Sequence, residues 1–204
     1  MRIRFPLSVS LPLIVAAGAV SAHEGQSELL EELIVYARAQ EMMGVAESAS
    51  EGVVGYDDIT LPPILRVGEL VEAVPGMVAT QHSGTGKANQ YFLRGFNLDH
   101  GTDFSAFANG VPINMRTHGH GHGYLDLNFL ITELVATTSY RKGPYSALVG
   151  DFSSAGSVNF DFYDRLDESL IQATVGEFGY YRGLLAGSID AGDGVFTGAL
   201  DYST

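Results

Sequence analysis

The sequence predicts a small α+β domain, built from a mixed sheet and short helices, followed by a run of antiparallel strands. Short strand and helix patterns, separated by glycine and proline turns, fill residues 61–164. Residues 165–204 instead contain longer segments in which apolar and polar side chains alternate. Hydrophobic residues make up 46% of the chain, which is enough for a core and excludes a disordered protein.

The first 22 residues have the pattern of a secretory signal peptide. Arg2 and Arg4 precede an apolar run from Phe5 to Val20, and Ala22 ends the segment with a small side chain. A membrane anchor is the alternative, but two prolines interrupt the run, which is shorter than the ~20 residues that a span requires. We therefore expect export and cleavage after Ala22.

Net charge and cysteine content limit the function classes. The formal charge is −13 and becomes −15 after cleavage, because the leader contains two basic and no acidic residues. A chain this acidic is not expected to bind nucleic acid. Cysteine is absent, so a metal site could use only His, Asp, Glu or backbone oxygen. The sequence also lacks HExxH and GxSxG motifs, and we do not expect an enzyme.

Residues 23–60 are acidic and poor in aromatic side chains, which is typical of a flexible arm. The folded domain is expected to begin at residue 61. Apolar spacing predicts a short helix that ends at Pro75-Gly76, and Asn109-Gly110 predicts a β-hairpin. Strands are predicted at residues 77–81, 90–93, 105–113, 135–140 and 157–162.

The predicted strands of the last part of the chain are residues 170–175, 181–190 and 195–202. In the last of them apolar residues such as Phe196 share one face and polar residues such as Thr197 share the other. This alternation suits a barrel strand that faces lipid on one side and the lumen on the other. A soluble β-meander has the same pattern and remains the alternative.

Four motifs resemble, in order and spacing, the plug domain of TonB-dependent outer-membrane receptors: YFLRGFN (91–97), NGVPIN (109–114), YRKGPYSALVG (140–150) and SSAGSVNF (153–160). The resemblance implies a periplasmic arm at 23–60, a plug at 61–164 and the first antiparallel strands of a transmembrane β-barrel at 165–204. It also implies active uptake of a nutrient across the outer membrane of a Gram-negative bacterium, with membrane lipid around the barrel. Large barrels have about 22 strands, so this chain is not expected to transport alone.

By the same resemblance, periplasmic TonB is the expected partner of a TonB box at residues 32–37. The box consists of Glu32, Leu33, Ile34, Val35, Tyr36 and Ala37. Such a segment would bind as an added strand, through main-chain hydrogen bonds. Helical spacing of the apolar residues leaves a short helix capped by Ser27 as the alternative. Glu32 is the tenth residue after the predicted cleavage site, which leaves no room for an extra signalling domain and favours a transporter.

Three cations match positions where the family places plug charges against glutamates of the barrel wall: Arg94, Arg141 and Lys142. The family usually has Arg directly before Gly-Pro, whereas this chain has Lys142 before Gly143-Pro144. Lysine provides a point charge instead of a bidentate fork, which alters the geometry expected of that pair. The alternative is that these cations end their strands in solvent.

Five of the six histidines fall in three loops that, by resemblance, face the extracellular vestibule: His82, His100, His118, His120 and His122. Neutral imidazole binds Zn, Cu, Ni and Fe, so we predict that these loops contact the ligand. The stretch THGHGHG places His118, His120 and His122 at alternate positions, which predicts a metal site. Histidines that only bond to backbone or barrel wall are the alternative.

The predicted nutrient is a metal chelate such as a ferric siderophore, and no resident cofactor is expected. Ferric siderophores bring their own oxygen ligands, so imidazoles would serve better for a softer metal, haem or a partly unsaturated chelate. An exported histidine-loop metal-binding protein without a barrel is the alternative function.

Overall fold

The computed structural model describes residues 50–61, 63–81 and 86–204. The predicted signal peptide, the predicted TonB box and His82 lie outside the described residues. No helix in the described segments is both long and apolar enough to cross a membrane.

A five-stranded mixed sheet forms the centre of the predicted plug domain. Its strands are Glu51–Gly55 (β1), Phe104–Ala108 (β5), Val111–Pro112 (β6), Val135–Lys142 (β7) and Gly156–Phe162 (β8). They lie in the order β1-β7-β8-β5-β6. Strands β5 and β8 pair in parallel, and the other neighbours pair antiparallel.

The folded domain begins earlier than residue 61. Strand β1 and the short helix α1 (Tyr56–Thr60) lie inside the segment that the sequence assigned to the flexible arm. Strand β1 pairs with β7 along its whole length, with Glu51 opposite Arg141. Its sequence, EGVVG, is short and only half-buried, so local composition gave no strand signal and the pairing across the sheet fixes it.

A second sheet has the order β2-β3-β4, with bounds Met77–Thr80, Gln90–Leu93 and Phe96–Asn97. The helix before it, Val67–Ala73, is a 3-10 helix in which Leu70 and Val71 are buried. The carboxylate of Glu69 accepts hydrogen bonds from the backbone amides of Leu65 and Arg66, at 2.9 and 3.2 Å. These bonds satisfy amides that the helix start leaves open.

The predicted hairpin at Asn109-Gly110 joins β5 to β6. Both residues have positive φ, 47° and 75°, as a two-residue type I′ turn requires. The Asn109 side chain also accepts a hydrogen bond from the amide of Phe162 at 2.8 Å, and Gly110 donates to the side chain of Asn159 at 2.9 Å. The turn is therefore fastened to strand β8.

The core lies between the two sheets and the segment that follows β6. Its largest fully buried side chains are Tyr91, Phe104, Phe160, Leu70, Leu98, Leu125 and Leu127. Tyr91 donates its hydroxyl hydrogen to the carbonyl of Leu125 at 3.1 Å, so its one polar atom is satisfied inside the core.

The last part of the chain forms a third sheet of three antiparallel strands: Leu170–Val175 (β9), Tyr181–Ala191 (β10) and Gly194–Ser203 (β11). Strand β10 lies between the other two, in the order β11-β10-β9. Leu185 stands opposite both Ile171 and Leu200, so apolar residues of all three strands share one face. The predicted order, a mixed-sheet domain followed by antiparallel strands, is confirmed.

Candidate functional site

The histidine-rich loop leaves and re-enters the fold through a pair of backbone hydrogen bonds. The amide of Met115 donates to the carbonyl of Tyr124, and the amide of Gly123 donates to the carbonyl of Met115, both at 2.8 Å. Gly123 has a φ of 81°, and a Cβ there would lie 2.6 Å from the ring of Phe152. Glycine is therefore required where the loop closes.

Tyr124 is the buried centre of a cluster that we call the imidazole cluster: His100, His118, His120 and Tyr124. The Tyr124 hydroxyl accepts a hydrogen bond from the amide of Ala88 at 2.8 Å, which fixes the ring. His118 stacks on that ring with centroids 3.7 Å apart, and His120 lies 5.4 Å from His118. Two of the predicted loops therefore meet at one aromatic side chain.

His100 is the buried member of the imidazole cluster. Its Nδ1 lies 2.9 Å from the carbonyl oxygen of Asn89. Because a carbonyl only accepts, Nδ1 carries the hydrogen and donates it. The His100 ring lies 5.5 Å from the His120 ring and 5.5 Å from the Tyr124 ring, between centroids.

The side chain of His122 points away from the imidazole cluster. Its Nδ1 donates to the carbonyl oxygen of Arg116 at 2.8 Å, and its ring makes no contact with the other described histidines. Within the described part of the chain, no group of three or more His, Asp or Glu side chains is gathered in a way that could hold a metal ion. The predicted metal site at His118, His120 and His122 is thus not preassembled, and metal binding by these loops stays a prediction.

The electrostatic surroundings of His120 favour its neutral form. Desolvation, the ammonium of Lys87 and the neighbouring His100 and His118 lower the pKa of His120, while Asp99 opposes them. A neutral imidazole can bind a metal, whereas a protonated one cannot.

The three predicted plug cations have different surroundings. Arg141 pairs with Glu51 of strand β1, with 2.7 Å between Nε and the carboxylate oxygen. Arg94, at a φ of 52°, is exposed just after strand β3. Lys142 is only 8% exposed, and its Nζ lies 5.4 Å from the centroid of the Tyr140 ring. One cation is therefore matched inside the plug itself.

The side chain of Lys142 is mostly buried. Burial, and then the positive charge of Arg94, lowers the pKa of Lys142. Within the described residues no carboxylate forms an ion pair with it. A mostly buried lysine side chain without a nearby counter-charge loses part of its hydration, so a carboxylate partner would stabilise this position.

An ion-pair network that the sequence did not reveal joins the third sheet to the plug. Arg182 of β10 donates to Glu133 at 2.6 and 2.9 Å and to Asp201 of β11 at 2.9 Å. Burial raises the pKa of Glu133, but the hydrogen bonds from Arg182 outweigh this and lower it. Arg182 and Asp201 both lie on the polar face of their strands, so the alternation of apolar and polar residues indicated that these two side chains share a face. Only the fold brings Glu133 to them.

The opposite face of the third sheet is apolar and exposed, and we call it the apolar wall face. Its side chains are Ile171, Val175, Tyr181, Leu185, Ile189, Phe196, Leu200 and Tyr202. Tyr181 and Tyr202 lie together at one end, with ring centroids 5.9 Å apart. An exposed apolar face of this extent, ending in tyrosines, is typical of a surface that contacts lipid.

Several solved structures have a similar fold. The siderophore receptor PirA from Acinetobacter baumannii is 20% identical, with a TM-score of 0.55 over 78% of this chain and 25% of its own. The ferric yersiniabactin uptake receptor FyuA from Yersinia pestis is 19% identical, with a TM-score of 0.58 over 81% of this chain and 26% of its own. The copper transporter OprC is 19% identical, with a TM-score of 0.50 over 79% of this chain and 24% of its own.

These structures are similar in fold, and this chain spans about a quarter of their length. The profile of the TonB-dependent receptor plug domain matches residues 45–157, which is more than half of the chain. The match begins before residue 51, in agreement with the position of strand β1 in the central sheet. The chain belongs to the TonB-dependent receptor plug-domain family.

Proposed function

We propose that this chain supplies the plug and three wall strands of an outer-membrane receptor that takes up a metal chelate by TonB-dependent active transport. The observation that carries the proposal is the two-sided third sheet. One side presents the apolar wall face, and the other contacts the plug through Arg182 and Glu133. A strand ladder with these two faces suits the wall of a barrel, where it separates lipid from a filled lumen.

The energy input is proposed to enter at residues 32–37. Glu32–Ala37 would pair with TonB as an added strand, for which the β-branched Ile34 and Val35 are suited. Strand β1 follows this segment in the chain and pairs with β7 in the central sheet. A pull on the box would therefore be applied to the edge of that sheet. Before this, residues 1–22 would direct export and be removed.

Lys142 and Arg94 are proposed to bind carboxylates of wall strands other than β9–β11. The mostly buried side chain of Lys142, which forms no ion pair with a described carboxylate, supports this, because a carboxylate partner would offset the lost hydration of its ammonium. Arg141 is already paired with Glu51, so it would contribute less to such a lock.

The nutrient is proposed to meet the loops that carry His100, His118 and His120, together with the loop of His82. Their clustering around Tyr124 supports this, since imidazole nitrogens suit metal complexes. The names of similar structures include siderophore receptors and a copper transporter. A metal chelate is therefore the substrate class that we propose.

Fractionation and uptake test this function. Cells that express the receptor should hold it in the outer-membrane fraction and accumulate a radiolabelled metal chelate, and loss of TonB should stop accumulation. A stable periplasmic monomer that binds metal without accumulation would instead support the exported histidine-loop binding protein. Accumulation that continues without TonB would contradict the proposed transport.

A further inference from the structure

We propose that Asn114 is the positioning residue that joins two histidine-bearing loops of the plug into one nutrient-contacting unit. The first loop is residues 98–103, which contain His100, and the second is residues 116–123, which contain the THGHGHG stretch. The inference rests on the proposed function for the role of these loops. It adds a residue that acts on the nutrient through them.

The side-chain amide of Asn114 contacts three separate segments of the chain. Its Oδ1 accepts a hydrogen bond from the amide of Ala106 in strand β5, at 2.7 Å. Its Nδ2 donates to the carbonyl oxygen of Phe104, also in β5, at 3.0 Å. The same nitrogen lies 3.3 Å from the carbonyl oxygen of Gly101 in the first loop and 2.9 Å from that of Gly123 in the second. One planar group therefore links both loops to the central sheet.

This pattern of hydrogen bonds requires a carboxamide at residue 114. The oxygen must accept, while the nitrogen beside it must offer two hydrogens to three carbonyl oxygens. An ionised carboxylate of the same shape would turn a negatively charged oxygen toward those carbonyl oxygens and repel them. Alanine would remove all of these bonds from a half-buried position.

Two further hydrogen bonds join the loops to one another. The amide of Leu125 donates to the carbonyl of His100 at 2.6 Å, and the hydroxyl of Thr102 donates to the carbonyl of His122 at 2.9 Å. These bonds make the loops move together, whereas the bonds of Asn114 also fasten them to β5. Loss of Asn114 should therefore release both loops from the sheet at once.

The imidazole cluster depends on the relative position of the two loops. His100 comes from the first loop and His118 from the second, and their rings lie 5.5 and 3.7 Å from the ring of Tyr124, between centroids. A nutrient that contacts both loops meets them at a separation that is already set, so less conformational entropy is lost on binding. Asn114 thus raises affinity by fixing the loops.

Asn159 is the matched control. It is also a half-buried asparagine beside strand β5, but its Oδ1 accepts a hydrogen bond from the amide of Gly110 at 2.9 Å and its Nδ2 donates to Asp161 at 2.7 Å. These bonds fasten the hairpin between β5 and β6 and the end of β8. Truncation of Asn159 therefore removes similar bonds at the hairpin instead of at the histidine-bearing loops.

The receptor that contains this chain is purified from outer membranes as wild type, N114A, N114D and N159A. Hydrogen exchange at pH 7 should be roughly 5- to 30-fold faster in both loops of N114A and N114D. N159A should accelerate exchange at residues 109–112 and leave both loops unchanged. Diethyl pyrocarbonate, which modifies accessible neutral imidazoles, should react faster with His100 and His118 in both Asn114 variants.

Acid distinguishes the hydrogen-bonding role of Asn114 from space filling. A protonated aspartic acid is a donor as well as an acceptor, so N114D regains a donated bond as pH falls. From pH 7 to pH 4, the ratio of loop exchange in N114D to that in wild type should fall by about threefold or more, because one hydrogen bond returns. The same ratio for N114A should stay constant.

Unchanged loop exchange in N114A, acceleration of one loop alone, equal acceleration in N159A, or no recovery of N114D in acid would overturn the proposal. Wild type provides a check that needs no folded variant. The amides of Gly101 and Gly123 should be equally protected, because a single unit opens in one step, and protection that differed by more than about tenfold would contradict it.

These measurements involve neither TonB nor uptake. Failure of TonB-dependent accumulation with the expected exchange results would therefore reject the proposed function alone. Normal accumulation with unchanged loop exchange in N114A would reject the role of Asn114 alone.

Discussion

Replacing Glu133 with glutamine should loosen the contact between the plug and the third sheet. In the native chain, two oxygens of Glu133 accept hydrogen bonds from the guanidinium of Arg182 at 2.6 and 2.9 Å. The two side chains are 16% and 18% exposed, so solvent screens the pair only in part. The E133Q variant keeps the size of the side chain and one acceptor, and it removes the negative charge.

The expected loss of stability depends on the interactions that Arg182 keeps in E133Q. A fully buried pair that loses one partner is destabilised by about 3–5 kcal/mol. Here Arg182 keeps Asp201, to which it donates at 2.9 Å, so its charge is not left alone. A hydrogen bond to a charged group contributes about 1.5–3 kcal/mol, of which glutamine retains a part. We therefore expect a loss of about 1–2 kcal/mol, which is a roughly 5- to 30-fold change in an opening equilibrium.

Hydrogen exchange followed by mass spectrometry measures this opening. Peptides that cover Thr132–Leu134 and strand β7 should exchange faster in E133Q by that factor. Asp190 provides the matched control, because it lies on β10 as Arg182 does. It pairs with Arg165, but its side chain is 77% exposed. The D190N variant should change exchange by less than about fivefold, because exposed pairs contribute about 0–1 kcal/mol. If E133Q changed exchange no more than D190N, the buried contact would not stabilise the plug against the wall.

Two further predictions concern the central five-stranded sheet and the carboxylate of Glu133. In G156A, the new Cβ would lie 2.5 Å from the carbonyl oxygen of Arg141, and the residue would have to keep a φ of 151°. We therefore expect strands β7 and β8 to separate locally. Trypsin should then cleave the plug of the assembled receptor. Folding lowers the pKa of Glu133. Its contribution to folding stability is therefore present above the unfolded value of about 4.3, and it is lost as pH falls through the lower folded value. Urea midpoints measured from pH 6 to pH 3 should fall more steeply in wild type than in E133Q.

Local sequence patterns predicted the structural elements that depend only on neighbouring residues. Asn109-Gly110 defines its hairpin by backbone conformation alone, and both positive φ values follow from these residue types. Alternation in residues 195–202 likewise predicted which side chains of β11 would share a face, because the strand period is two.

Contacts between distant segments were not predictable in this way. Strand β1 depends on pairing with β7, where Glu51 meets Arg141 90 residues away along the chain. The network of Glu133 and Arg182 joins residues 49 positions apart. No local pattern encodes either contact, since each side chain alone is compatible with solvent.

The histidines show the same division. Their positions in loops were evident from glycine and histidine content, whereas their roles depend on what each ring nitrogen bonds to. Sequence spacing grouped His118, His120 and His122, but the fold turns His122 toward Arg116 and brings His100 beside His120. Alternation predicts a common side only for an extended strand, and the glycines of this loop allow the chain to turn between histidines.

The most direct test of TonB coupling is chelate uptake by cells that carry the receptor with proline at Val35. Proline removes a main-chain donor from the proposed added strand, and threonine at the same position keeps the β-branched shape as a control. We predict that V35P reduces uptake to the level of cells without TonB, while V35T transports normally and both variants bind chelate at the surface. Uptake by V35P at the wild-type rate, with equal receptor in the outer membrane, would contradict coupling through residues 32–37.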